Sequence, residues 1–177
     1  ITLETLMPNR IGSFLLYDSE QNCLGSGYAL SLPQDYVEAL EGLPVQEKAG
    51  CCGTAAYRKE PVIVDDIATD SLWEEFRDLA LSHNLRAAWS YPILGEDGVL
   101  LGTFCAYSRK VEAPTEADLR LTNLIRYLAA LAIIQDQVRR ERDQKLALVE
   151  AAVDGIGIVE NNVFCYLNQA HAEIFGY

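Results

Sequence analysis

The chain has 177 residues, half of them hydrophobic, and its 26 acidic against 14 basic residues give a formal charge of −12. That length suits one domain with a well-buried core plus a remainder too short for a second ordinary domain. The acidic balance repels a phosphate backbone, so nucleic acid is not an expected partner. No apolar run approaches the roughly 20 residues needed to cross a bilayer, and the N-terminus lacks the charged and apolar regions of a signal peptide, so a cytoplasmic location without membrane contact is expected.

The elements follow in chain order. Runs 11–17 and 24–30 are short and apolar, and the polar cluster 18–22 between them makes a β-hairpin. Residues 33–40 place Tyr36, Val37 and Leu40 on one helical face, with Ser31 as a possible cap and Gly42 as the stop. A glycine-entered helix begins at Gly50, and after Pro61 the β-branched run 62–64 is a strand closed by Asp65 and Asp66. Leu72, Trp73, Phe76, Leu79 and Ala80 recur at three and four residues, so 72–82 is expected to be an amphipathic helix. Runs 86–94 and 99–108 form a second hairpin over Gly95-Glu96-Asp97-Gly98, whose Asp-Gly pair supplies left-handed backbone.

After Pro114, Thr115 and Asp118 have capping-box spacing, and helix formers continue without Gly or Pro to Gly155, about 40 residues or about 60 Å. Leu121, Leu124, Leu128 and Leu131 keep heptad spacing; a polar stretch, 135–144, carries Val138, and Leu146, Val149 and Val153 resume the stripe. Beyond Gly155, runs 156–159 and 163–166 make a third hairpin through Glu160-Asn161-Asn162, with a short helix after Asn168. Strands joined partly by hairpins and partly by helices imply an α+β fold, an antiparallel sheet flanked by helices with a long C-terminal linker helix.

The five cysteines, Cys23, Cys51, Cys52, Cys105 and Cys165, are odd in number and lie in mostly apolar surroundings, so reduced thiols are expected. No pair has zinc-finger spacing, and His83 and His171 lie far apart, so no metal is expected. Asp65 and Asp66, adjacent at a strand end, point in opposite directions; one carboxylate is expected to cap a loop or the next helix rather than share a site. Arg139-Arg140-Glu141-Arg142-Asp143 reads as a solvated helix face with i,i+4 pairs.

Cys52-Gly53-Thr54-Ala55-Ala56-Tyr57, Pro61-Val62-Ile63-Val64-Asp65-Asp66-Ile67, Leu72-Trp73, Leu85-Arg86-Ala87-Ala88-Trp89-Ser90-Tyr91-Pro92-Ile93 and Gly102-Thr103-Phe104, in that order, resemble a GAF domain over roughly residues 2–135. The subgroup is common in bacterial sensor histidine kinases and in cyclic-dinucleotide cyclases and phosphodiesterases. Cys51 departs from it, since a serine usually stands there. Ala152, Asp154-Gly155-Ile156, Tyr166-Leu167-Asn168-Gln169-Ala170 and Phe175-Gly176-Tyr177 similarly resemble the opening of a PAS domain. The resemblances divide the chain into a GAF-like sensory domain at 1–135 with its first helix largely missing, a helical linker at 136–152 and a truncated PAS start, a partial PAS hairpin, at 153–177.

The GAF resemblance implies a pocket for an unknown small molecule, with Thr54, Tyr57, Asp66, Trp73, Trp89, Ser90, Thr103 and Cys105 as candidate ligand-binding residues; the alternative is that these side chains fill the core. Backbone N–H groups at the 50–53 helix start suit an anion or a carbonyl. Free methionine sulfoxide reductases are also GAF domains, but their chemistry needs a second, resolving thiol and 85–93 contains none, so no catalytic residue is assigned. Bilin and haem lack their ligand pattern, since no histidine follows Cys52 or Cys105, and no cofactor is assigned. The reading is a non-enzymatic sensory module of a signal-transduction protein, a homodimer through Leu121, Leu124, Leu128, Leu131, Val138, Leu146 and Val149 that acts on downstream signalling domains of the same chain. The alternatives are a ligand-free dimerisation and spacer module and, remotely, a thiol-based methionine sulfoxide reductase.

Overall fold

The computed structural model describes residues 7–29, 31–152, 154–161 and 163–175. Residues 2–6, Leu30, Val153, Asn162, Gly176 and Tyr177, to which parts of the sequence reading refer, lie outside them. The chain divides into two compact units, Ile1–Leu131 and Ala132–Tyr177.

The first unit holds β1 (Ile11–Asp18), β2 (Cys23–Tyr28), α1 (Gln34–Ala39), β3 (Leu43–Pro44), α2 (Gly50–Arg58), β4 (Val62–Val64), a 3-10 turn (Ser71–Trp73), α3 (Arg77–Ser82), β5 (Ala87–Leu94), β6 (Leu100–Ser108) and the start of α4 (Glu116–Glu150). Its sheet has the order β3-β2-β1-β6-β5-β4, with every neighbouring pair antiparallel. The α+β class and the flanking long helix read from the sequence are those of the structure.

One expectation is corrected. Residues 72–82 are not one helix: the Asp70 carboxylate accepts the Leu72 N–H and starts a single 3-10 turn, and Arg77 Nη2 donates to the Asp70 carbonyl at 2.9 Å, holding a bend ahead of α3. Helix α1 is entered at Pro33, which makes no side-chain cap bond.

Strand register sorts side chains between two faces, because successive residues alternate. Ser90 pairs with Cys105 and Val62, Cys105 with Ser13, Ala88 with Tyr107, and Thr103 with Leu15, which puts all of them on one face. Helix α2 covers that face and joins its apolar residues in one core cluster through Cys51, Cys52, Ala55 and Ala56. Gly50 enters α2 with φ of +58°, backbone that glycine adopts without penalty. At Gly53 a Cβ would stand 2.5 Å from the Pro44 carbonyl oxygen, so only glycine lets the helix lie this close to β3.

The opposite face carries Trp89, Tyr91, Phe104 and Phe14, the two phenylalanine rings 5.0 Å apart. Here α4 packs through buried Asp118, Thr122, Ile125 and Ala130, and Arg126 Nε donates to the Pro92 carbonyl at 2.9 Å. The helix begins with the expected box: the Thr115 N–H and hydroxyl donate to Asp118 Oδ2 at 2.8 and 2.7 Å, and the Asp118 N–H returns to Thr115 Oγ1 at 3.2 Å. Arg10 closes this side, bidentate to Asp118 at 3.2 and 3.1 Å, 2.6 Å from Glu112, and stacked 4.8 Å over the Trp89 ring.

The second unit pairs β7 (Gly157–Glu160) with β8 (Val163–Leu167) and ends in α5 (Gln169–Phe175). Asn168 is fully buried and satisfied: Oδ1 accepts the Ile156 and His171 N–H groups at 2.8 and 3.0 Å, and Nδ2 donates to the Val149 and Asp154 carbonyls at 3.0 and 3.1 Å.

Candidate ligand-binding site

Of the eight sequence candidates, three share one strand face, and Thr54 is buried on the helix that covers it. Thr54 on α2, Ser90 on β5, and Thr103 and Cys105 on β6 are all 0% exposed, with α2 packed over the strand face that bears the other three. Among the described residues the Thr54 hydroxyl finds no hydrogen-bond partner, and those of Ser90 and Thr103 have none beyond the Cys52 thiol, that of Ser13 on β1 none beyond the Tyr107 phenol. Unpaired buried hydroxyls are uncommon and each costs about 1–3 kcal/mol when left so, which makes this interior unusual.

The other four stand elsewhere. Trp89 is on the opposite face beneath Arg10, since it neighbours Ser90 and alternation turns it away. Tyr57 is 56% exposed and walls no interior space. The Asp66 carboxylate accepts the Ala68 N–H at 3.0 Å and caps the turn after β4, as one of the two aspartates was expected to do. Trp73 is buried near the start of α2, where its indole N–H donates to Cys51 Sγ at 3.2 Å.

Two residues at the sheet that were not among the candidates stand out. Cys52 belongs with the cluster: Cys105, Ser90, Thr103 and Tyr107 all stand beside its thiol. The signal was its place on the buried side of the glycine-entered helix. Arg10 lies outside every regular element and carried no signal at all.

Hydrogen bonding from Cys105, helped by Ser90 and Thr103 against the opposing effect of burial, draws the Cys52 thiol below its ordinary pKa. Burial, and then the neighbouring Cys52, push Cys105 well above it. One of the pair thus gives up a proton more readily while the other retains its own. Cys51 is also pushed up by burial; its thiol donates to the Ala88 carbonyl at 3.3 Å and accepts from Trp73. Burial raises Tyr36 and Tyr107 well above the phenol range, so both stay neutral.

A small cavity of about 10 Å³ lies between α1, α2 and the 3-10 turn, lined by Tyr36, Cys51, Cys52, Trp73, Phe76 and Tyr107 among others; it is water-sized. His83 ends α3 with its Nε2 3.2 Å from the Asp35 carboxylate and its ring edge-on to Tyr36. Among the described residues no group of three or more His, Cys, Asp or Glu could hold a metal ion, and no helix is long and apolar enough to cross a membrane.

A family model of the GAF domain matches residues 2–134. The chain belongs to the GAF domain family. This GAF chain is 32% identical over 180 residues to the methyl sulfide methyltransferase-associated sensor of Methanosarcina acetivorans, an alignment that takes in 98% of the chain but 18% of that relative. Among solved structures it is similar to a domain assigned to a two-component sensor histidine kinase of Sinorhizobium meliloti, at 19% identity and a TM-score of 0.64, covering 80% of this chain and 90% of that one. A type II free methionine-R-sulfoxide reductase of Thermoplasma acidophilum is similar at 16% identity and a TM-score of 0.52, covering 72% and 79%. At such identities the two structures speak for the fold alone.

Proposed function

We propose that the chain is a non-catalytic sensory module: the GAF domain takes a small molecule between α2 and the sheet and relays its presence through α4 of a homodimer to downstream domains of the same protein, in the cytoplasm. The observation that carries this reading is the set of buried hydroxyls of Ser13, Thr54, Ser90 and Thr103, which have at most a thiol or a phenol for a partner. A ligand with matching donors and acceptors gains the bonds that the empty protein leaves unmade. The cavity at α2, lined by Cys51, Cys52 and Tyr107, is water-sized, so such a ligand enters only as α2 shifts, and its binding energy is then coupled to the position of that helix.

Helix α4 supplies the relay. Its buried side faces the sheet, while Leu124, Leu128 and Leu131, and further along Val138 and Leu146, are exposed at heptad-like spacing; Leu121 and Val149 extend the stripe half-buried. We read 1–135 as the sensory domain, 136–152 as the linker and 153–177 as the start of a PAS-like domain. The M. acetivorans relative, of which this chain spans 18%, bears the name of a sensor, which favours regulation over catalysis.

One observation favours a second reading, a ligand-free dimerisation and spacer module: the cavity of about 10 Å³ holds no metabolite as it stands. Native mass spectrometry of the freshly purified chain, with an absorption spectrum, separates the two. A dimer with stoichiometric extra mass supports sensing; a dimer with an empty, non-absorbing interior supports the spacer; a monomer removes the helical relay from both.

A further inference from the structure

We propose that Cys52 and Cys105 form an oxidisable thiol pair, in which hydrogen peroxide converts the two thiols to a disulfide that bonds α2 to the central strand β6. This goes beyond the sensory reading and does not depend on any ligand.

Buried thiols in apolar surroundings are ordinarily inert. Two features set this pair apart. The first is the ring of donors around Cys52. The Ser90 and Thr103 hydroxyls have no other partner, and with the Tyr107 phenol and the Cys105 thiol they stand beside its sulfur, where an anion is stabilised by hydrogen bonds without any cation. The second is access. The cavity lined by Cys51, Cys52 and Tyr107 leaves room for about one water against Cys52, from which peroxide enters as the lining side chains give, although that residue is only 4% exposed.

Register explains why Cys105 is the resolving thiol. It is paired with Ser90 on one side and Ser13 on the other, in the middle of the face that α2 covers. Cys51, one residue from Cys52, is already engaged by Trp73 and the Ala88 carbonyl, and a bridge between adjacent cysteines closes a strained ring.

The chemistry balances in two steps. The Cys52 thiolate attacks one peroxide oxygen; an S–O bond forms, the O–O bond breaks, and the hydroxide released takes up a proton to leave as water. Cys105 then attacks the sulfenic sulfur; the S–S bond forms, the S–O bond breaks, and the departing hydroxide carries away the Cys105 proton as a second water. Two thiols are oxidised and one peroxide is reduced to two waters. A dithiol reductant reverses the change.

The test uses the full chain. It is treated with hydrogen peroxide, denatured, alkylated and mapped by peptide mass spectrometry. The Cys52 and Cys105 peptides are expected to appear linked, two hydrogens lighter than their sum, and to separate after treatment with a dithiol. Cys51→Ser keeps the link. Cys105→Ser loses it and leaves a Cys52 sulfenic acid that a 1,3-diketone reagent traps. Full alkylation of Cys52 at a peroxide dose that oxidises the exposed Cys165 overturns the proposal, as does a link from Cys52 to Cys51; both are read on the unmutated chain, so a variant that fails to fold does not obscure them.

Discussion

The Trp73 indole N–H rests 3.2 Å from the Cys51 sulfur, and the same thiol donates to the Ala88 carbonyl at 3.3 Å. One side chain thus joins α2, the 3-10 turn and β5. A thiol in this place does what a serine hydroxyl also can, which accounts for the departure from the serine usual in the resembling subgroup: the residue bridges elements rather than capping α2, whose N-cap is Ala49 without a side-chain bond.

Replacing that bridge gives the first prediction. Cys51→Ala leaves the buried Trp73 N–H unpaired and is expected to cost about 1–3 kcal/mol. Cys51→Ser keeps a donor and an acceptor in place and is expected to cost less than Cys51→Ala. Urea unfolding followed by tryptophan fluorescence orders the two variants; equal losses would mean that packing volume, not hydrogen bonding, decides the site.

Arg10 gives the second. Its side chain and that of Asp118 are each 11% exposed and bonded to one another twice, so Arg10→Met strands a carboxylate and is expected to cost about 3–5 kcal/mol. Burial alone would raise the Asp118 pKa, but the Arg10 guanidinium and the Thr115 N–H and hydroxyl outweigh it and hold the carboxyl below its ordinary value. A carboxyl with a depressed folded pKa contributes stability that is present above the unfolded value of about 3.9 and is lost as pH falls through the folded one. Unmutated protein is therefore expected to lose this stability below about pH 4, and Arg10→Met to show a shallower acid limb in urea titrations across that range.

The third concerns the second unit, where the Asn168 side chain ties the end of α4, the turn before β7 and the start of α5. Asn168→Ala leaves four backbone groups without their partner and is expected to remove hydrogen-exchange protection at the Ile156 and His171 amides. Asn168→Asp keeps the accepting oxygen and is expected to preserve protection at both amides while losing the bonds to the Val149 and Asp154 carbonyls. Loss of protection throughout 87–108 in either variant would contradict a role confined to this unit.

The hairpins and the capping box were legible because each is encoded locally: Asp97-Gly98 sets one turn, with Gly98 at φ +69°, and Thr115 with Asp118 sets the start of α4. The candidate site was only half legible. Ser90, Thr103 and Cys105 share a strand face, but Trp89 and Ser90 are neighbours that alternation sends to opposite sides of the sheet. The break in 72–82 was written in Asp70 and Arg77, whose bonds to backbone outcompete a continuous helix despite the right apolar spacing. Cys52 beside Cys105 was beyond local reading, since 53 positions separate them and only the register of β6 under α2 brings them together.

The last prediction bears on the relay. In α4 the residues that meet the sheet are Asp118, Thr122, Ile125 and Ala130, whereas Leu124 and Leu128 are each 53% exposed and Leu131 is 40% exposed. At 100° per residue Leu124, Leu128 and Leu131 share one stripe and the sheet-facing set lies across the helix from it, so the leucines add nothing to the fold of a single chain. Leu124→Glu combined with Leu128→Glu is therefore expected to change stability by no more than about 0.5 kcal/mol per site, as surface substitutions do. The same pair puts like charges into a two-helix seam and is expected to yield a monomer by light scattering at concentrations where the unmutated chain is a dimer. Ile125→Glu, one residue away but 7% exposed, is the control: it places a charge against the sheet and is expected to unfold the first unit. A double variant that folds and still dimerises would show that the subunits meet through another surface, and that α4 carries no signal between paired helices.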